Sequence, residues 1–304
     1  MRELPFDLTL RPFTTTEGLQ RGLSPKRLRK RDLITPVRGV RLAITEADSL
    51  TQRCAALDLH LSHPTAAFSH ATAAQLWGMP LPRRHEFPAP LHVVVWGGVT
   101  PLRVSGVIGH RSAEPLRTSL QRGLVIVSAA DAWCQLATIL DESELVQAGD
   151  RLIGRPSPLT TVPEIDAALA RYGSRRGARV LRSARKHLRI GSESPKESTL
   201  RLGVIAAGFP EPEPNGVIAL RSGRSTHGDL VFRAWKVLLE YDGAHHRVDD
   251  VQWARDVDRL NELAGNGWLA IRVNRASDHR VILRQLDEAM RLRGWDGTAR
   301  STHE

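Results

Sequence analysis

Residues 228–246, GDLVFRAWKVLLEYDGAHH, gather the side chains best suited to chemistry. Asp229 sits in one short apolar run, Glu240 and Asp242 close a second, and Gly243, His245 and His246 follow at once. An unpaired charge inside a strand is costly to desolvate, so carboxylates placed there point to a partner or a ligand. Three of them on adjacent strand ends suit a hard divalent cation, Mg²⁺ (or Mn²⁺), which takes oxygen ligands and keeps several waters. The chemistry suggested is a metal-dependent reaction at a phosphate, with Asp229 and Glu240 as the expected metal carboxylates. Asp242-Gly243 also reads as a turn that ends a strand, and His245 and His246 as exposed turn residues.

The elements that must position these groups lie between about 193 and 296. Ser194-Pro195 opens a helix that carries Glu197, Leu200 and Ile205 and stops at Gly208. Glu197 pairs equally well with Arg201 one turn on. Strands are expected at 216–220, 229–233 and 236–241, a long helix over 250–264, a strand at 268–273, and a last helix capped by Ser277. A mixed sheet flanked by helices follows from that order. On the long helix, Arg255 and Arg259 pair with acids of their own helix or contact phosphate, and the internal pairing is favoured for Arg255.

The first 60 residues are small and basic. Thr14 and Glu17 have capping-box spacing. Ser24-Pro25 then opens PKRLRKRD, a short helix with Lys26, Arg27, Arg29, Lys30 and Arg31, and LITPVRGVRLAI reads as a hairpin. Helix, turn, basic helix and hairpin is the order of a winged helix-turn-helix, whose second helix would meet DNA. A solvated basic helix in a protein-contact module has the same pattern.

Residues 61–160 read as a small α+β domain. Thr65 or Ser69 caps a helix through Trp77, strand 91–98 has 104–111 as its hairpin partner, and strand 123–128 leads to a helix capped by Ser128. His63, His70, His92 and His110 have no metal-ligand spacing on one helix and are expected to be structural or surface residues. Residues 161–192 are a basic linker whose stretch 171–190 reads as one helix, and 297–304 form a tail.

A net charge of +10 over 304 residues favours a polyanionic partner. No apolar run is long enough to span a membrane, and MRELPFDLTLRPF lacks the apolar stretch of a signal peptide. DNA is therefore the expected partner and no membrane contact is expected. Cys54 and Cys134 are read as buried free thiols of a cytoplasmic protein. Aromatic residues are only 5% of the chain, which disfavours the stacking platforms of single-stranded RNA binders.

The segments SPKESTLRLGVIAAGFPEPEPN, GDLVF, LLEYDGAHH and DVDRLNELAGNGWLAIRV occur in an order that resembles the DUF559 family. That family is similar to the very-short-patch repair endonucleases of the PD-(D/E)XK nuclease class. The resemblance covers residues 193–296 and implies a restriction-endonuclease-like fold, Asp229 and Glu240 as metal carboxylates, and Glu197 as an extra acid. The class usually carries a lysine two residues after the second carboxylate, where this chain has Asp242. The similar repair enzymes also lack that lysine and rely on a nearby histidine, a role that falls here to His245 or His246. Three N-terminal segments, PFTTTEGLQRGLSPKRLRKRDLITPVRGV, SHATAAQLWGMPLP and VSAADAWCQLATIL, resemble type IV abortive-infection (AbiEi) antitoxins. This implies a winged helix and a cognate toxin as a further partner. The expectation is a DNA endonuclease guided by a DNA-binding module; the alternative is a non-catalytic DNA-binding regulator on a degenerate nuclease fold.

Overall fold

Alternation of apolar residues along short strands builds three sheets in the computed structural model, which describes residues 3–47, 49–61, 64–242 and 250–298. Two compact units divide the chain: Met1–Glu144 with Val162–Leu181, and Leu145–Thr161 with Arg182–Glu304. Both are mixtures of helix and sheet.

The first unit begins with α1 (Phe6–Thr9), β1 (Phe13–Thr14), α2 (Thr15–Gln20), β2 (Leu33–Ile34) and β3 (Val40–Ala43). The three strands pair antiparallel in the order β1-β3-β2 over a core of Leu8, Phe13, Leu23, Leu28 and Leu33. Thr14 caps α2 by accepting the Glu17 N–H at 3.0 Å. The basic helix expected at 25–32 is instead one 3₁₀ turn, Arg27–Arg29. Its single apolar anchor is Leu28, and like charges three and four residues apart oppose a longer helix.

Next come α3 (Leu50–Asp58), β4 (Ala66–Phe68), α4 (His70–Leu76), β5 (Leu91–Val95), β6 (Val107–Arg111), β7 (Thr118–Gln121), β8 (Leu124–Val127) and α5 (Ala129–Leu136). Their sheet has the order β6-β5-β4-β8-β7. The segment 104–111 is not a hairpin partner of β5: β6 runs parallel to it, with His92 opposite Ile108 and Val94 opposite His110. A parallel neighbour needs a crossover rather than a tight turn. Here the chain returns through 96–106, with Gly97, Gly98 and Gly106 at positive φ. Buried Cys54 and Cys134 are free thiols, and burial pushes both up to about 12.

Two helices follow, α6 (Glu142–Ile153) and α7 (Val162–Tyr172), then α8 (Ala178–Lys186). The single helix expected over 171–190 is broken between α7 and α8, where Gly173 and Gly177 take φ of 64° and 86°.

The second unit continues with α9 (Pro195–Ala206), β9 (Glu213–Ala219), β10 (Ser225–Phe232), β11 (Val237–Asp242), α10 (Asp250–Gly265), β12 (Leu269–Asn274) and α11 (His279–Arg291). The sheet order is β12-β11-β10-β9, parallel only between β11 and β12. Leu230, Phe232, Val237 and Leu239 join Leu200, Val204, Ile282 and Leu286 in one core, while Val231 and Leu238 join Leu263 and Trp268 in another. Each strand thus buries alternate residues on opposite faces, with burial worth about 1.5–3 kcal/mol for each large side chain. Asp278, not Ser277, caps α11; the Ser277 hydroxyl accepts the Asn274 N–H. Among the described residues no helix is long and apolar enough to cross a membrane.

Candidate functional site

Two-residue periodicity decides which way the carboxylates face. Asp229 shares a face with Val231, and Glu240 and Asp242 share one with Leu238. All three therefore belong to the side of the sheet covered by Leu263 and Trp268 rather than to the side covered by α9 and α11. The Leu230–Leu239 pairing of β10 and β11 sets Asp229 opposite Glu240 at the next position. Gly228 permits the approach, since a Cβ there would lie 2.7 Å from Leu238 Cδ1. Between the strands, Lys236 takes the left-handed conformation that closes the turn.

Each carboxylate has a partner within the protein. Asp229 accepts the Tyr241 N–H at 2.6 Å. Glu240 is buried, and a single Arg259 nitrogen, Nη2, lies 2.5 Å from both of its oxygens. Arg259 also donates to the His227 carbonyl at 3.0 Å. The expectation that Arg259 pairs along its own helix is corrected: it reaches across to β11. Asp242 pairs with Arg272 at 2.9 Å. A cavity of about 180 Å³ is lined by four carboxylates (Asp229, Glu240, Asp242 and Asp256) and two guanidiniums, Arg259 and Arg272. Burial raises Asp229 above the usual carboxylate range, the Tyr241 N–H opposes that rise, and Glu240 adds to it.

Glu197 is buried on α9 and does not pair with Arg201. Its carboxylate accepts the Glu193 N–H at 2.8 Å and its own N–H donates to Ser194 Oγ, a variant of the capping box. Burial raises its pKa. Arg201, fully buried, turns instead to Asp150 at 2.8 Å and to Glu211 at 3.3 Å. His245 and His246 lie outside the described residues.

The donor chemistry fits a hard cation. Mg²⁺ needs only one or two protein carboxylates, the rest of its shell being water and substrate oxygens. Asp229 and Glu240 are the residues that would hold it, once Glu240 shares or releases Arg259. Among the described residues, no three carboxylates bring oxygens within 4.8 Å of one another.

Of the basic residues in the first unit, Lys26, Arg29, Lys30 and Arg31 are exposed. Arg27 is not: it is buried and forms a two-nitrogen pair with Asp32 at 3.0 and 2.8 Å. Its expected role at DNA is corrected to a structural one.

A second cluster was not visible in the spacing. His70 at the start of α4, His92 on β5 and His110 on β6 bring ring nitrogens within 4.8 Å of one another. His92 Nδ1 and His110 Nε2 are 2.9 Å apart, and His70 stacks on His110 with centroids 3.7 Å apart. Burial, the largest cause, lowers His70 to about 2 and His92 to about 4, and it lowers His110 too. The rings are therefore neutral at neutral pH. Parallel pairing of β5 with β6 brings them together; the one sequence signal was polar His92 within the apolar run LHVVV. His63 lies outside the described residues.

The chain is similar to two uncharacterized proteins from two strains of Mycobacterium tuberculosis, each 25% identical over 234 residues that cover 73% of this chain and 79% of the relative. No family model matches the chain. No solved structure matches it either.

Proposed function

We propose that the protein is a divalent-cation-dependent DNA endonuclease whose carboxylate site lies on β10 and β11. The observation that carries this reading is the pairing of Asp229 with Glu240 across two neighbouring strands at a small cavity rich in carboxylates. The order of helix, strands, helix, strand and helix, and the resemblance to the DUF559 family, support it further. Mg²⁺ or Mn²⁺ bound there would supply Lewis acidity and water activation for phosphodiester hydrolysis. Asp229 and Glu240 hold the site, and the Tyr241 N–H fixes the Asp229 carboxylate. Arg259 is close enough to steady a phosphate once it leaves Glu240. His245 or His246 moves the proton, and the winged-helix reading of the first unit puts Lys26, Arg29, Lys30 and Arg31 on DNA phosphates. The net charge of +10 favours that partner.

A second reading has a specific observation in its favour. Arg259 and Arg272 already neutralise Glu240 and Asp242, as expected of a nuclease scaffold retained without catalysis. The protein would then be a DNA-binding regulator of the antitoxin type, with a toxin as partner. Incubation of supercoiled plasmid with the full chain and Mg²⁺ or Mn²⁺ separates the two. Nicking that Asp229→Asn and Glu240→Gln abolish supports the nuclease; DNA binding without nicking in either metal favours the regulator.

A further inference from the structure

A cavity of about 540 Å³ lies in the first unit. Its volume is within the range of about 300–1,000 Å³ that small-molecule sites occupy. Five arginines line it against two acids, Glu114 and Asp131. Asp131 is already neutralised: Arg171 Nη2 donates to both its oxygens at 2.9 Å and the Ser128 hydroxyl at 2.6 Å. Arg111, Arg117 and Arg176 make no ion pair among the described residues. The lining thus holds excess positive charge beside apolar Val94 and Leu116 and the rings of His70, His110 and Tyr172.

This charge sits on fixed backbone. The Tyr172 hydroxyl donates to the Arg176 carbonyl at 2.6 Å, closing the turn that carries Arg175 and Arg176. Gly177 seats that turn against the end of α5, since a Cβ there would lie 2.3 Å from the Ala137 carbonyl oxygen. Arg175 lies over the Tyr172 ring at 5.7 Å. His70, also in the lining, holds a positive φ of 48°, and its N–H donates to Gln135 Oε1 at 3.0 Å.

A metal ion is a poorer fit. An ion bound by an imidazole lies in the ring plane, and the His70 and His110 planes are stacked within 14° of parallel. Stacked neutral rings present a flat, weakly polar surface, and guanidiniums bind phosphate oxygens.

We propose that this cavity binds a nucleotide, an aromatic base seated by the histidine and tyrosine rings and a phosphate held by the arginines. The ligand is either a free nucleotide or the phosphorylated end of a strand; the shared chemistry is a base carrying a terminal phosphate. The test is calorimetric titration of the full chain in EDTA with nucleoside 5′-monophosphates, the matching nucleosides, inorganic phosphate and a 5′-phosphorylated oligonucleotide. At least one monophosphate or the phosphorylated strand should bind, at least tenfold tighter than phosphate or nucleoside alone. Binding of the monophosphate assigns a free nucleotide; binding of the strand alone assigns a strand end. Arg117→Ala and Arg176→Ala should each weaken binding about tenfold without lowering the melting temperature of the free protein. Doubly substituted Asp229→Asn, Glu240→Gln protein should bind as wild type does, so failure here is distinct from failure of the nuclease reading. The proposal is overturned if neither phosphorylated ligand binds, if inorganic phosphate binds as tightly, if the arginine variants keep full affinity, or if binding appears only on adding Zn²⁺.

Discussion

One nitrogen of Arg259, on α10, contacts both carboxylate oxygens of Glu240, on β11, at 2.5 Å. The same carboxylate is a metal ligand in the proposed reaction, so ion pair and cation compete for it. Arg259→Ala should therefore increase the rise in melting temperature that Mg²⁺ or Mn²⁺ causes, because binding to the folded state stabilises it. Without metal the variant should lose about 1 kcal/mol, a modest figure because Arg259 is 31% exposed and solvent screens the pair. Thermal melts across a metal titration read both effects. A metal response unchanged from wild type would show that Glu240 is not the ligand.

Asp229 carries a pH signature. Its folded pKa is raised by burial above the unfolded value, so the folded state binds the proton more tightly. The sign is the reverse of a salt-bridged carboxylate: stability is greatest below the unfolded pKa and falls as pH rises through the folded one. Glu197, also raised by burial, adds in the same direction. Asp229→Asn should flatten that fall and make the metal-free protein more stable at neutral pH, as melting temperatures across pH 3–8 would record, about the window where carboxylates titrate. An Asp229→Asn profile with the same pH dependence as wild type would contradict it.

Arg201 and Asp150 form an ion pair at 2.8 Å, exposed by 0% and 1%. Asp150 also accepts the Arg189 N–H at 2.8 Å and the Ser198 hydroxyl at 2.7 Å. Removing one member strands the other without water, so Arg201→Met should cost about 3–5 kcal/mol. Replacing both, with Asp150→Leu added, should restore much of that stability. Chemical denaturation of the single and double variants measures the coupling; independent, additive effects would disprove it.

The basic residues of the first unit should separate into two classes. Glutamate at Lys26, Arg29, Lys30 and Arg31 should leave the fold unchanged and weaken DNA binding, lowering the salt slope by about 0.9 for each phosphate that is no longer neutralised. Arg27→Ala should instead destabilise the unit by about 1–2 kcal/mol, because the buried guanidinium is paired with Asp32. Salt titrations of DNA affinity beside thermal melts distinguish them. An unchanged slope in the four-residue variant would remove DNA binding from this segment.

Much of the local structure was legible in the chain itself. The caps at Thr14, Ser128 and Ser194, the apolar alternation of β10 and β11 and the periodicity of α10 lie within a few residues of the atoms they bond or bury, so local pattern determined them. The same alternation placed Asp229 and Glu240 on strands. Partners distant in sequence were decided only by tertiary structure. Arg259 had acids on its own helix yet closes on Glu240, because α10 packs over the face where that carboxylate emerges. Arg201 leaves Glu197 for Asp150, since burial of a guanidinium demands a carboxylate buried with it. His70, His92 and His110 meet because β6 lies parallel to β5, a register that glycines and a crossover set and that neither strand reveals alone. Side-chain charges act over distances of a few ångströms; which charges come that close depends on how the elements pack, and spacing along the chain does not encode it.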